Sequence, residues 1–330
     1  MKKKLDLGII GNTPMIRIRY KLDGKEDFIY AKLESYNPTG SVKDRIADYI
    51  TQEAIAMGKL KTGQPIVEVT SGNTGIAFSA VGAHYHHPIH IFMPEWASEE
   101  RKKIMRMYGA NLHEVSQEDG GYIGALSLSK KFAEEIGGYM PSQFDNADNT
   151  LAHYYGTGPE ILQQLPDVGA FVSGVGSGGT LMGVAHRLSV AMKYYGRTCK
   201  IIALQPDASP LLTNGTVTGT HKIEGIGDDF VPRIYNSDMV DEVMSINDDD
   251  AVNMSSKIAK NLGLGVGISS GANFLAAAMF KKNDKENRKV CILFPDDNKK
   301  YLTTSLSNPV PMPSDSYSER IELLDYKLVL

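Results

Sequence analysis

Cysteine is nearly absent from this chain of 330 residues: there are two, Cys199 and Cys291. That is too few for a disulfide framework or a thiolate metal cluster. Both lie in strand-like runs, TCKIIAL and VCILFP, and read as buried free thiols of a cytosolic protein; a single disulfide is not indicated. A dominant charge sign is lacking too. The net charge of −4 leaves no basic footprint for nucleic acid. Long hydrophobic runs are missing: AFVSGVGSGGTLMGVAH, the longest weakly polar stretch, is broken by glycine and too short to cross a bilayer. The opening MKKKLDLGIIGNTP has lysines without an apolar stretch behind them, so a secretory leader is not expected and the expected location is cytoplasmic. Repeats and low-complexity blocks are lacking as well.

What is present is alternation. The apolar runs FIYAKL, PIVEV, IHIFMP, NLHEV, AFVSGV, KIIALQP and VCILFP are separated, in several cases, by amphipathic segments long enough for crossover helices. That pattern predicts an α/β fold with largely parallel sheets. The length fits two domains or one large one. The tail after Tyr301 is rich in Pro and Ser, then ends in an apolar run, and reads as an extended arm packed on the body or on a second subunit.

The segment NPTGSVKDR places Lys43 in the first turn of a helix whose apolar face is Val42, Ile46, Ile50 and Ala54, stopping near Gly58. Ser41 and Asp44 read as a capping-box variant. A cation is disfavoured at this end of the helix dipole, which suits a lysine that works as a neutral amine. Three glycine-rich junctions follow. Thr70 to Gly75, TSGNTG, offers backbone N–H groups, hydroxyls and an amide at a helix start, an anion site beyond the needs of a cap. Gly174 to Thr180, GVGSGGT, satisfies G-x-G-x-x-G, but the next strand ends in Gln205-Pro206 with Asp207 only after it, poor support for a dinucleotide. No G-K-[ST] is present. What remains is a nest suited to one phosphate. The third junction, GISSGA, presents Ser269 and Ser270 and by itself is an ordinary N-cap. A neutral-prone lysine, a carboxylate-sized anion loop and a single-phosphate nest together point to pyridoxal phosphate.

Between residues 8 and 305 the chain carries GNTPMIRI, NPTGSVKDR, TSGNTG, MPE, SQFDNADN, GVGSGGT, GIGDDFVP, GISSGA and FPDDNKKYL in that order. In these motifs it resembles the cysteine synthase/cystathionine β-synthase family of fold-type II pyridoxal phosphate enzymes. The resemblance implies a tryptophan synthase β-like fold of two domains, each a parallel-rich twisted sheet flanked by helices. Residues 1–42 and 153–310 would form the larger cofactor domain, 43–152 a smaller mobile domain that closes on substrate, and 311–330 the arm. It implies that Lys43 is the Schiff-base lysine and that Asn73 bonds the pyridine 3′-oxygen. Gly176, Ser177, Gly178, Gly179 and Thr180 would cradle the phosphate, and Ser269 would face the pyridine nitrogen. Thr70, Ser71, Asn73 and Thr74, with Gln143, would bind the substrate carboxylate. A hydroxyl at the ring nitrogen, unlike a carboxylate, makes a weaker electron sink and favours β-elimination over transamination. The implied cycle runs through an aminoacrylate, with Lys43 as base. The family gives no role to metals and is usually dimeric. AHYHHPIH, with His84, His86, His87 and His90, reads as a surface turn.

Two departures bear on substrate. Sulfhydrylases of the family usually carry small residues after G-I-G and the pattern P-S-S-G-E-R; here stand Asp228, Asp229 and FPDDNKKY, closer to the cystathionine β-synthase branch. For Asp228, a solvated turn and a functional role both remain open. At the mouth, Asp229 would attract an ammonium or accept a proton, and would repel hydrosulfide. The expectation is therefore sulfide release from L-cysteine with an amino acid or water as acceptor, giving lanthionine, cystathionine or serine. The alternatives are cysteine synthesis from O-acetylserine and, in another class, a non-catalytic amino-acid-binding protein, against which Lys43 argues. A nicotinamide dehydrogenase has only the glycine pattern in its favour.

Overall fold

The structure is a computed structural model and describes residues 8–70 and 72–329, apart from the side chain of Tyr122. In chain order the elements are β1 (Met15–Leu22), β2 (Lys25–Leu33), α1 (Lys43–Ala56), β3 (Ile66–Val69), α2 (Asn73–Tyr85), β4 (Ile89–Pro94), α3 (Glu99–Met107), β5 (Asn111–Val115), α4 (Gly121–Ile136) and α5 (Ala147–Ala152). A π-turn, His153–Thr157, joins α5 to α6 (Gly158–Gln164). Then come β6 (Ala170–Gly174), α7 (Gly179–Tyr194), β7 (Lys200–Pro206), α8 (Leu211–Asn214), β8 (Glu242–Ile246), α9 (Asp248–Leu262), α10 (Ile268–Asn283), β9 (Val290–Phe294), α11 (Tyr317–Arg320) and β10 (Ile321–Val329).

Two sheets result. The larger has seven strands in the order β10-β1-β2-β9-β6-β7-β8, and the smaller has three, β3-β4-β5. From β2 through β9, β6, β7 and β8 the pairing is parallel, as it is throughout the small sheet. The fold is α/β and parallel-rich. The inner parallel strands β6 and β9 read as apolar runs because both their faces are covered, whereas β5 and β8, at the sheet edges, are half-exposed. Every residue of β9 is buried, Cys291 included, while Cys199 is half-buried just before β7; both thiols are free.

Ile258 of α9 and Phe274 of α10 pack in the core on one side of the large sheet, and Leu181, Val184 and Leu188 of α7 in another. Ile46 and Ile50 of α1 join Ile76 and Phe78 of α2 against the small sheet, so the helix that begins with Lys43 belongs to that smaller core. Val42, Ile46, Ile50 and Ala54 are all buried, as their spacing requires.

Three strands stand outside the runs singled out in the sequence. β1 pairs with β2 through the two-residue turn Asp23-Gly24, with φ of 54° and 79°. An Asp-Gly pair with both φ positive is the turn whose twist matches that of a hairpin. β8 is a half-exposed edge strand, and β10, the end of the tail, lies antiparallel on β1.

The histidine run separates. His84 and His86 are exposed, but His87 is buried, its Nδ1 2.8 Å from the Gln64 carbonyl, and His90 lies in β4 with Nδ1 3.1 Å from Nε2 of His113. The surface-turn expectation therefore fails for the last two, because β4 starts immediately after Pro88. Among the described residues, no cluster of three or more His, Cys, Asp or Glu could hold a metal, and no helix is long and apolar enough to cross a membrane.

Candidate active site

The carboxyl ends of β3 and β6 deliver the first two glycine-rich loops to one cleft, where ligands of open α/β sheets bind. Lys43 lines both its outer chamber and its inner pocket. The outer chamber, about 520 Å³, brings Thr70, Asn73, Thr74 and Gln143 together with Ser177, Asp228 and Asp229. The inner pocket holds Asn73, Gly176, Ser177, Gly178, Thr180 and Ser269. Gly179 follows as the first residue of α7. Ser71 lies outside the described residues.

The turn before Lys43 is built differently from a capping box. Ser41 Oγ accepts only the Lys43 N–H, at 3.3 Å, and Asp44 reaches past it to Thr39, taking the backbone N–H at 2.7 Å and the hydroxyl. Gly40, at φ +79°, allows the tight Pro-Thr-Gly reversal, and the buried Lys300 ammonium fixes its carbonyl at 3.0 Å. Burial pushes the Asp44 carboxyl up to about 6. Burial also lowers the pKa of Lys43, while Asp228 and Asp296 oppose that shift. The downward direction is the one expected of a lysine that works as an amine, and its cause is burial rather than the helix position.

The carboxylate side is pre-oriented. Thr74 Oγ1 donates to Gln143 Oε1 at 2.8 Å, which leaves the Gln143 NH₂ as donor to an anion. Thr70 Oγ1 accepts the Gly72 N–H at 3.1 Å and keeps its own proton for a ligand. On the inner side Gly178 has φ +86°, and a Cβ at Gly176 would sit 2.2 Å from the Gly225 carbonyl. The backbone approaches there as only glycine permits, and the first N–H groups of α7 have no partner within the helix. Asn73 Nδ2 donates to Asp296 at 2.7 Å, while Asn73 Oδ1 is buried without a partner. An orphaned amide oxygen, a nest of N–H groups and a buried amine are a set of groups that fits an aromatic aldehyde phosphate.

Several site residues carried no role in the sequence reading. Asp296 is buried and also accepts from Tyr301 Oη at 2.7 Å; burial raises its pKa. Arg101 of α3 lies over the Tyr301 ring, 5.1 Å from its centroid, and pairs with Glu224, joining the small-sheet side to the mouth. Trp96, Phe144 and Phe230 line the entrance. FPDDNKKY held the signal for Asp296 and Tyr301, but nothing near Arg101 distinguishes it from a solvated helix cation.

The model of the pyridoxal-phosphate dependent enzyme family matches residues 7–296. The chain belongs to that family. Cysteine synthase of Staphylococcus aureus is 40% identical over 300 residues, spanning 90% of this chain and 95% of that protein. Among solved structures, a hydrogen sulfide-producing enzyme from Fusobacterium nucleatum superposes with a TM-score of 0.91 at 45% identity, covering 96% of this chain and 95% of that one. An Asp-to-Asn variant of a hydrogen sulfide-producing enzyme, 44% identical with a TM-score of 0.91 and the same coverage, is in complex with its α-aminoacrylate intermediate. This pyridoxal-phosphate dependent enzyme thus uses pyridoxal phosphate as cofactor, and its relatives support β-replacement chemistry.

Proposed function

We propose that the enzyme acts on L-cysteine, releasing hydrogen sulfide and adding an amino-acid thiol or water at the β-carbon, so that lanthionine, cystathionine or serine is formed. The observation that carries this reading is the pair Asp228 and Asp229 at the mouth of the Lys43 chamber. Asp228 is half-buried, its pKa raised by burial and held back by Lys43; Asp229 is exposed. Two carboxyl groups there disfavour entry of hydrosulfide and favour an ammonium, and the exposed Asp229 is the one offered as proton acceptor to the incoming nucleophile. The Asp-to-Asn variant captured with an intermediate in the sulfide-producing relative is in keeping with a carboxylate that serves a late step.

Pyridoxal phosphate, when bound, supplies the electron sink that acidifies Cα and weakens the bond to the β-substituent. Lys43 would hold it, take the Cα proton as a neutral amine and return it to the product. Thr70, Thr74 and Gln143 would orient the carboxylate, with Ser71 and Asn73. Asn73 and Ser269 would contact the ring, and Gly176 to Thr180 the phosphate. Residues 43–152 would close as a unit over the substrate, with the Arg101–Glu224 pair as the clasp between the two sides. A homodimer is part of the reading, supported by the exposed Tyr194, Tyr195 and Val190 on one helix end, and sedimentation tests it.

The decisive experiment compares L-cysteine alone with O-acetyl-L-serine plus sulfide. Faster turnover of cysteine, with sulfide and a thioether or serine as products, supports the proposal. Faster cysteine formation from O-acetylserine would reassign the enzyme to cysteine synthesis, the reading favoured by its likeness to the Staphylococcus aureus protein.

A further inference from the structure

Behind the loop Gly176–Thr180 lies a second row of polar side chains that touches neither cleft chamber. Asn149 of α5 and His153, the first residue of the π-turn, are 0% and 1% exposed. They stand four residues apart, on one helical face. Asn149 Nδ2 is 2.9 Å from Ser177 Oγ, and His153 Nε2 is 3.1 Å from Thr180 Oγ1. We propose that Asn149 and His153 are positioning residues that turn the hydroxyls of Ser177 and Thr180 into committed donors toward the cofactor phosphate. This rests on reading that loop as the phosphate cradle.

The donor directions follow from chemistry. Asn149 Nδ2 also donates to the Gln143 carbonyl at 2.7 Å. Flipping the amide would set its oxygen against that carbonyl, two acceptors in contact, so the NH₂ must face both partners. Ser177 Oγ therefore accepts, and its own proton is left to point at the cleft. His153 Nδ1 is 2.9 Å from Thr157 Oγ1. Burial, with Arg45 and Lys43 close by, keeps the imidazole pKa well below its usual value, so the ring is neutral, with one donor and one acceptor nitrogen. An anion beside Thr180 takes the threonine proton. Nε2 must then carry the ring proton and donate to Thr180, and Nδ1 must accept from Thr157. The chain Thr157 to His153 to Thr180 to phosphate runs in one direction, each link polarising the next.

The packing is built for this. A Cβ at Gly179 would lie 1.8 Å from Asn149 Oδ1, and one at Gly183 2.3 Å from the Thr150 carbonyl. Two glycines a turn apart on α7 let α5 cross close enough for both side chains to reach the loop. Gly179, which completes the G-x-G-x-x-G pattern, is small because Asn149 lies against it. The π-turn, in which the Gly158 N–H bonds the His153 carbonyl, is the kind of helix irregularity that marks functional segments.

The test is equilibrium binding to the full-length apoprotein of pyridoxal phosphate and of pyridoxal, which lacks the phosphate. His153→Leu should weaken pyridoxal phosphate about tenfold or more, the size of one hydrogen bond to a charged group, and leave pyridoxal unchanged. His153→Gln, whose amide N–H can replace Nε2–H, should recover most of the affinity. Asn149→Leu, of similar size, uncharged and without donors, should behave like His153→Leu. In a Thr180→Val background, His153→Leu should add nothing. Equal weakening of both ligands, or effects that add to Thr180→Val, would overturn the inference. If Thr180→Val alone leaves pyridoxal phosphate binding unchanged, the phosphate-cradle reading fails and takes the inference with it. Should His153→Leu not fold, Thr157→Val reads the relay from its far end: loss specific to the phosphorylated ligand supports it, and native affinity for both ligands refutes it.

Discussion

The loop from Gly174 to Thr180 and the segment from Gly225 to Phe230 pack against each other along the cleft, and they are held to opposite degrees. The first is pinned from behind: Asn273 accepts the Gly174 N–H at 2.9 Å, Asn149 grips Ser177 and His153 meets Thr180. The second is anchored at its inner end, where the Gly227 N–H donates to the Val175 carbonyl at 3.0 Å and its carbonyl meets His221. Beyond that point Asp229 and Phe230 are exposed, and Asp229 has no hydrogen bond among the described residues. What must hold a constant cofactor is braced, and what meets a changing second substrate is left with its polar groups uncommitted. Binding groups of low reorganisation suit the first task, and adaptable ones the second.

The largest test of that contrast is Lys43→Ala. It should remove the visible absorption of the bound cofactor's lysine adduct and depress turnover by more than the roughly 10²–10⁴-fold of a general base alone, since both linkage and base are lost. A protein with unchanged absorbance would show that Lys43 is not the linkage. Next is Asp229→Asn on the loose side. Turnover of L-cysteine should fall by about 10² or more while cofactor content stays native; unchanged turnover would remove Asp229 from the chemistry and leave Asp228 as the working carboxylate. If both fall together, the two regions are not as separate as their contacts indicate.

A third test concerns the root of the carboxylate loop. Glu68 in β3 is buried, accepts the Val69 N–H at 2.9 Å, and burial pushes its carboxyl up to about 7. The folded state then binds the proton more tightly than the unfolded one, so stability is full below the unfolded pKa and is lost as pH rises toward 7. Between pH 4.5 and 7 the loss is on the order of 3 kcal/mol. Glu68→Gln should flatten that part of the pH–melting curve, and an unchanged slope would show that another group titrates there. The smallest effects belong to Thr70→Ala and Gln143→Ala. Each should raise the KM for the amino acid by the roughly 1.5–3 kcal/mol of one charged hydrogen bond, with cofactor binding intact. Loss of cofactor in step with substrate affinity would make these residues structural.

The sequence foretold most of the parallel strands, because double burial writes itself as continuous apolar runs such as VCILF. The place of Lys43 in the first turn of a helix was legible from the apolar spacing after NPTGSV, and the helix-start junctions from glycine and hydroxyl density, whereas the burial that lowers the lysine pKa was not. β1, β8 and β10 escaped because edge and hairpin strands mix charge with apolar residues, and KLDGKED needed its turn recognised first. Ser41 and Asp44 have the spacing of a cap, yet Thr39 offers Asp44 a closer N–H, a choice that only the turn geometry reveals. Asn149 closed the quoted SQFDNADN without a role and His153 lay just beyond it, since a buried polar residue acting through another leaves no local pattern.

The pairing of β10 with β1 also has a consequence for how the polypeptide is made. Arg19 bonds Asp325 across 306 positions of chain. During translation, the hairpin β1–β2 can form at once, but the outer edge of β1 stays open until β10 has been synthesised. An open strand edge invites pairing with other nascent chains. Arg17, Arg19 and Lys21 recur along β1 at the two-residue period of one strand face. Those charges are guards for a seam that stays open for most of the ribosome's passage, and Asp325 and Glu322 of β10 close it by neutralising Arg19 and Lys21.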